Sequence, residues 1–335
     1  MFFRLVIFII ALGIGTAVLE YVSPLQPGFG VAPEIPLVHS SDITVGWVGD
    51  MVPSKDSTYN HTVLSFVTPD LQQPDLMIGN LEGTFAQEHR TSKCFYIPTR
   101  CHAFRGDESF ADALKVAGFD FVSLINNHSY DYGQDGLTDT LAILDARSIP
   151  YIAPTKPSTT VLVKGKRIGI LGLSSTQPLQ TITDYDFIIK NVTRLKQEND
   201  FVIVIFHGGT EGSDKTTVPG TYEYMGTENR GDVQRVAYTA IDAGADLVLG
   251  SGPHVLRKIE TYKDKKIAYS LGNFVGGNGS LTTSGRLAYS GIFTSSLSTE
   301  NPPLTNFTSV LLTKNGTPTI DLLEQGKKLI ESLSQ

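Results

Sequence analysis

The stretch FADALKVAGFDFVSLINNHSYD, residues 110–131, indicates the fold of this chain. Its first part has the apolar spacing of a helix and is followed by Gly118, a residue type that commonly ends helices. A short apolar run from Phe121 to Ile125 comes next and leads directly into the polar triplet NNH. Helices that alternate with buried strands are typical of an α/β protein. We therefore predict an α/β fold.

The same arrangement recurs along the chain, because polar residues directly follow apolar runs at several other places. These clusters are Gly49-Asp50, Asn80-Leu81-Glu82, Asn126-Asn127-His128, His207 with Glu211, Pro253-His254 and Gly272-Asn273. Loops at one edge of an open α/β sheet form its binding sites. Carboxylate, imidazole and amide oxygen are ligands of divalent metals. The clusters therefore predict a metal-dependent, hydrolase-like site.

The triplet around His128 is the most informative of these clusters. Two amides and an imidazole after an apolar strand are costly to bury unless each is paired. Asp131 follows three residues later, where it can hydrogen-bond His128 and fix its tautomer. This arrangement suits His128 as a general acid and Asn127 as a metal ligand. Any one cluster alone is also compatible with an ordinary polar turn, and Asp50 alone with a helix cap.

Composition and charge restrict the function classes. The chain has 335 residues, of which 41% are hydrophobic and 18% charged, as in a globular protein with a sizeable core. Its formal net charge is -7. Sequence-independent nucleic-acid binding depends on Lys and Arg contacts to phosphates, so this charge disfavours a nucleic-acid partner.

The chain begins with a segment of membrane or export type. Residues 5–19 form an uncharged run after Arg4, close to the roughly 20 residues that cross a bilayer. We predict that residues 1–22 are either a signal-anchor or a cleaved signal peptide. Both readings place the remainder outside the cell membrane, anchored by one helix or secreted. Residues 23–41 read as a linker, 42–323 as the domain and 324–335 as a polar C-terminal tail.

The two cysteines, Cys94 and Cys101, are separated by six residues. An even count in an exported chain favours a disulfide that closes this short loop. Two free thiols are the alternative.

Three longer stretches carry a resemblance to a known family. They are AGFD through NNH to DYG at residues 117–133, AGAD through Pro253-His254 at 243–254, and YSLGNF at 269–274. In this order they resemble the CapA family of poly-γ-glutamate capsule synthesis proteins, which are similar to calcineurin-type metallophosphoesterases. The resemblance implies a four-layer α/β/β/α, metallophosphatase-like domain.

The resemblance also implies a set of site residues. It implies two divalent metal ions, Mn, Fe or Zn, held by the matching positions Asp50, Glu82, Asn127, His207 and His254. His128 is then the candidate acid, with Asp131 beside it. Arg105 matches a basic position of the family and can hold an anionic substrate group. The chain departs from the family at Gly252, where the family usually has His.

Two functions are compatible with these features. The first is an extracytoplasmic metal-dependent hydrolase, phosphoesterase-like or amide-hydrolysing, linked to synthesis or export of poly-γ-glutamate or another anionic envelope polymer. The second is a non-catalytic, membrane-anchored subunit that binds the polymer within a membrane synthase complex. Gly252 and the N-terminal run favour the second function, and the conjunction of clusters favours the first.

Overall fold

The computed structural model describes residues 42–96, 101–176, 178–179 and 181–335. Its strands, in chain order, are β1 (Ile43–Val52), β2 (Leu76–Leu81), β3 (Phe121–Ser123), β4 (Tyr151–Ile152), β5 (Ser158–Val163), β6 (Lys166–Ser174), β7 (Phe201–His207), β8 (Glu223–Met225), β9 (Glu228–Gly231), β10 (Leu247–Ser251), β11 (Ile259–Tyr262), β12 (Lys265–Ala268), β13 (Asn273–Gly276), β14 (Tyr289–Leu297), β15 (Thr305–Leu312) and β16 (Pro318–Ile320). The helices are α1 (Ser57–Thr62), α2 (Thr68–Leu71), α3 (Ser109–Ala117), α4 (Gly133–Ala146), α5 (Tyr185–Glu198), α6 (Val233–Asp242) and α7 (Gln325–Leu333).

The strands form two large sheets and one small hairpin. The first sheet has the order β16-β15-β14-β1-β2-β3-β4, and β13 pairs with the end of β1. The second has the order β11-β12-β10-β7-β6-β5, and β8 pairs only with β9. In each large sheet the central strands are parallel, β1 with β2 and β6 with β7 with β10. Parallel central strands end at the same edge, so the residues that follow them are brought close together.

The two large sheets pack face to face, with helices on their outer faces. Between them lies an apolar core to which both sheets contribute, including Trp47 and Ile78 from the first and Ile203 and Leu249 from the second. A second core lies between the first sheet and helices α1, α3 and α4. A third lies between the second sheet and helices α5 and α6. The layers are therefore α/β/β/α, and the predicted fold is confirmed.

The predicted disulfide is confirmed, and a hairpin and the C-terminal helix are further local features. The turn Lys164-Gly165 joins β5 to β6 in an antiparallel hairpin. Cys94 and Cys101 form a disulfide with an S–S distance of 2.07 Å. Within residues 324–335, predicted as a polar tail, α7 buries Ile330 in the core between the sheets.

The N-terminal predictions lie outside the described residues. They concern residues 1–22, including the uncharged run 5–19, and the linker 23–41. Within the part of the chain that the structure describes, the helices are too short or too polar to span a bilayer.

Trp47 connects the two sheets and is a sensitive point of the fold. It is fully buried, and its indole Nε1 donates a hydrogen bond to Gly250 O in the opposite sheet at 3.3 Å. Trp47→Ala should lower the free energy of unfolding by about 3–5 kcal/mol, because it leaves a large cavity. Urea denaturation followed by circular dichroism measures this change. Phe66→Ala is the control, since Phe66 is 65% exposed and should change stability by less than about 0.5 kcal/mol. Equal effects in both variants would contradict the proposed inter-sheet role.

Candidate metal centre

The first sheet places Asp50 and Glu82 at the centre of the site. Asp50 lies near the end of β1, in register with Asn80 on β2 and Asn273 on β13. A Cβ at Gly49 would lie 1.9 Å from Gly272 O, so only glycine lets the two chains approach there. This approach allows the Asp50 N–H to donate to Gly272 O at 3.0 Å. Glu82 directly follows β2 and is fully buried.

The second sheet supplies a histidine from the opposite side. His207 is the last residue of β7 and is in register with Ser251, the last residue of β10. The Nδ1 atom of His207 lies 3.0 Å from Ser251 Oγ, so Nε2 is the atom left for a metal. That Nε2 atom lies 3.8 Å from Glu82 Oε1. The ends of both sheets therefore converge on Glu82.

His254 reaches the same point from the loop after β10. Its Nδ1 atom lies 3.1 Å from Asp50 Oδ2 and 2.8 Å from Asn273 Oδ1. Its Nε2 atom lies 3.8 Å from Glu211 Oε2. His254 has a φ of 60°, a left-handed conformation that is unfavourable for a residue with a side chain. Strain of this kind is concentrated at functional sites.

The buried ligand atoms lack protein partners. Among the described residues, the following have no hydrogen-bond partner: Asp50 Oδ2, both carboxylate oxygens of Glu82, Asn127 Oδ1 and His207 Nε2. Leaving such groups buried and unpaired is costly, and a bound cation removes that cost. Ligand atoms of Asp50, Glu82 and His254 all lie within 4.8 Å of one another. The donor set therefore fits a divalent metal.

The site is electrostatically unbalanced without a cation. Burial, and then the charge of Asp50, raise the pKa of Glu82 well above its usual value. Burial alone lowers the pKa of His254, but the charges of Glu82, Asp50 and Glu211 outweigh it and raise that pKa to about 10. Burial lowers the pKa of His207 well below its usual value. These shifts follow from carboxylates and imidazoles buried side by side, a setting that favours a bound cation.

His128 and Asp131 form a pair at the edge of the same site. The Nδ1 atom of His128 lies 2.8 Å from Asp131 Oδ2, and its Nε2 atom lies 4.0 Å from Glu82 Oε1. Lys93 Nζ lies 2.6 Å from the other oxygen of Asp131. Burial lowers the pKa of His128, and Asp131 partly offsets this effect. Asp131 thus orients the ring so that Nε2 faces the buried carboxylates.

A cleft of about 350 Å³ opens onto these residues. Its lining includes polar side chains of His128, Glu211, His254 and Asn273, and its wall includes the apolar side chain of Leu281. A substrate that enters the cleft therefore meets both the predicted acid and the predicted ligand His254.

Arg105 lies apart from this cleft. Its guanidinium donates to Glu88 O at 3.0 Å and lies 3.4 Å from Glu88 Oε1. It lines a separate pocket of about 570 Å³ that also contains Lys55 and Asp139. The structure thus brings together seven of the eight predicted site residues in one region, and the anion-binding role of Arg105 stays a prediction.

Arg230 is a charged residue of the site that the sequence did not reveal. Its side chain is fully buried, and Nη2 lies 3.0 Å from Glu211 Oε1. Nη1 lies 3.3 Å from Glu228 Oε1. Arg230 lies on β9 in a small hairpin of mixed polarity, so the sequence offers no periodicity that would have indicated its burial.

Comparisons with known proteins identify a family for this chain. Residues 42–278 match the model of the family described as "Bacterial capsule synthesis protein PGA_cap". The chain is 29% identical over 233 residues to "Capsule biosynthesis protein CapA" of Bacillus anthracis, covering 64% of this chain and 53% of that protein. It is 26% identical over 274 residues to "PGA biosynthesis protein CapA" of Bacillus subtilis (strain 168), covering 74% of this chain and 67% of that protein. The chain thus spans between about half and two thirds of these relatives.

A solved structure supports the fold alone. It is described as a novel phosphatase of Mycoplasma pneumoniae, with a TM-score of 0.50 and 15% identity, over 86% of this chain and 99% of that one. The chain therefore has a metallophosphatase-like fold.

The pKa shifts at the centre predict that metal binding releases protons. His254, whose pKa is raised to about 10, is protonated below that pH and must lose its proton to become a ligand. Glu82, with its raised pKa, can release a second proton. Metal affinity should therefore fall as pH falls, by about tenfold per pH unit for each proton displaced. Calorimetric titration in buffers of different ionisation enthalpy counts these protons. An affinity independent of pH below pH 10 would contradict the assignment of His254.

Proposed function

Because the chain belongs to the family of bacterial capsule synthesis proteins, PGA_cap, we propose that it is a metal-dependent hydrolase of the metallophosphoesterase type. We further propose that it acts in synthesis or export of poly-γ-glutamate or another anionic cell-envelope polymer. The printed names of the two Bacillus relatives support the polymer context. The substrate is then a phosphoester or an amide of that polymer.

One observation carries the proposal. Imidazole nitrogens of His207 and His254 lie within about 4 Å of the buried Glu82 carboxylate. Both oxygens of Glu82 and the Nε2 atom of His207 make no hydrogen bond among the described residues. A structural role alone would pair these atoms with one another. A metal-binding role leaves such atoms available, as both Glu82 oxygens and His207 Nε2 are here.

The chemistry follows from which groups face the cleft. Asp50, Glu82 and His254 would hold a divalent ion, and His207 Nε2 and Asn127 Oδ1 are further donors without a hydrogen bond among the described residues. Oxygen and imidazole donors together suit Mn, Fe or Zn. Such an ion supplies Lewis acidity and activates water near neutral pH. The protein residues fix the geometry around it: Asn80 donates to Asp50 Oδ1 at 2.7 Å.

His128 is placed to move a proton during the reaction. Its Nδ1–H, donated to Asp131, fixes the tautomer and leaves Nε2 at the cleft. When the ring is doubly protonated, Nε2 carries the second proton and can deliver it to the leaving group as a bond to phosphorus or carbon breaks, which leaves a neutral imidazole. Asp131 is a positioning residue in this scheme, since it contacts His128 rather than the cleft.

We propose that the domain acts outside the cell membrane, held there by a helix at residues 1–22 or secreted after its cleavage. The uncharged run of residues 5–19 supports this location. Partner subunits of a membrane synthase are proposed on the same grounds.

One feature favours a second function, a non-catalytic subunit that binds the polymer. Gly252 offers no side chain to the centre, so a ligand position that the family usually fills is absent. Retention of an anionic polymer without hydrolysis, unaffected by EDTA, would support this alternative.

The first test removes the metal. Hydrolysis of a phosphodiester such as bis-p-nitrophenyl phosphate, or of a γ-glutamyl anilide, should stop with EDTA and return with Mn²⁺. Asp50→Asn should reduce both metal content and kcat/KM at least about 100-fold, because a ligand and its charge are lost. Asp186→Asn is the matched control, since Asp186 is exposed on α5. Full activity of metal-free protein would refute the hydrolase proposal.

The second test concerns the proton donor. His128→Gln should lower kcat about 100-fold or more for a poor leaving group, and much less for p-nitrophenolate, which needs no proton. Metal content should stay the same, which separates this role from ligation. Asp131→Asn should cause a smaller loss with a shifted pH profile. His61→Gln is the control on an exposed histidine of α1. Equal losses with both leaving groups would rule out acid catalysis by His128.

A further inference from the structure

The loop after β10 leaves no room for a side chain at position 252. Gly252 has a φ of 115°, a conformation that side chains strongly disfavour. A Cβ built there would lie 2.9 Å from Gly208 O and 3.3 Å from Arg230 Nη2. An imidazole from position 252 and the Arg230 guanidinium therefore compete for the same space.

The guanidinium of Arg230 is held deep in the protein by several groups. Nε donates to Gly209 O at 3.1 Å, and ion pairs with Glu211 and Glu228 fix the two terminal nitrogens. Nη2 is buried and makes no hydrogen bond to the described residues, although it lies 3.0 Å from Glu211 Oε1. A buried arginine stays charged, so a fixed positive charge is built into this position.

The Glu211 carboxylate contacts both this charge and the predicted metal ligand His254. Glu211 contacts Arg230 through Oε1 and lies 3.8 Å from His254 Nε2 through Oε2. The guanidinium is therefore part of the electrostatic environment of the centre.

We propose that the Arg230 guanidinium replaces a second metal ion, so that the centre binds one divalent cation through Asp50, Glu82 and His254. Asp50, Glu82, Glu211 and Glu228, which also pairs with Arg230, together carry four negative charges. One divalent ion and one guanidinium supply three positive charges, whereas two divalent ions and the guanidinium would supply five, more than the carboxylates offset. The inference rests on the proposed function for the location of the metal, and it fixes the number of ions and the role of Arg230.

The first experiment counts the ions in the full-length protein, purified in mild detergent. After removal of metal by chelation, the protein is titrated with Mn²⁺, and bound metal is measured by equilibrium dialysis and elemental analysis. We expect one Mn²⁺ per chain and the electron paramagnetic resonance spectrum of an isolated ion. Two ions per chain with an exchange-coupled spectrum would overturn the inference.

The second experiment removes the fixed charge. Arg230→Gln should bind Mn²⁺ at least about tenfold more tightly, or bind a second ion, because a repelling charge has been removed from a buried site. Arg230→Lys is the matched control, and it should keep one ion with an affinity within about twofold of the original. An unchanged stoichiometry and affinity in Arg230→Gln would overturn the inference.

These measurements remain decisive if Arg230→Gln fails to fold, because the ion count of the unaltered protein tests the inference by itself. Hydrolysis assays on the same samples separate the inference from the proposed function. One bound ion without hydrolysis would contradict the proposed function and leave the role of Arg230 intact. Two bound ions with hydrolysis would contradict the role of Arg230 and support the proposed function.

Discussion

The rest of the structure depends on one constraint, the burial of the Asp50 and Glu82 carboxylates between two sheets. Three of the four carboxylate oxygens make no hydrogen bond among the described residues. Two adjacent buried carboxylates repel each other and lose their hydration. The fold tolerates this arrangement only if a cation or protons supply positive charge. His254 and the guanidinium of Arg230 offer that charge beside the carboxylates, whereas His207 offers a neutral nitrogen donor.

The architecture turns that constraint into a defined geometry. Parallel strands of both sheets end at one edge, and the tight approach of Gly49 to Gly272 fixes Asp50 in place. Neutral polar side chains then orient the ligands, as Asn80 does for Asp50 and Ser251 does for His207. These groups hydrogen-bond the ligands without adding charge, which keeps the metal-facing atoms free.

Arg105 and Arg230 show that sequence position alone does not place an arginine head group. Arg105 matches a family motif, yet its guanidinium donates to Glu88 O and lines a separate pocket. Arg230 belongs to no motif, yet its side chain reaches the centre through Glu211. A long flexible side chain can point in several directions from one backbone position, so sequence position does not fix its head group.

The sequence by itself determined the fold class and the donors. Apolar runs that end in Asp50, Glu82, Asn127, His207 and His254 are local patterns, and parallel strands make their ends converge. Only the tertiary structure decided which atoms meet and which stay unpaired. The stacking of the two sheets decides that His254 Nδ1 lies 3.1 Å from Asp50 Oδ2. It also decides that the Arg230 guanidinium lies beside Gly252. Such distances arise between segments far apart in the chain, so no local pattern encodes them.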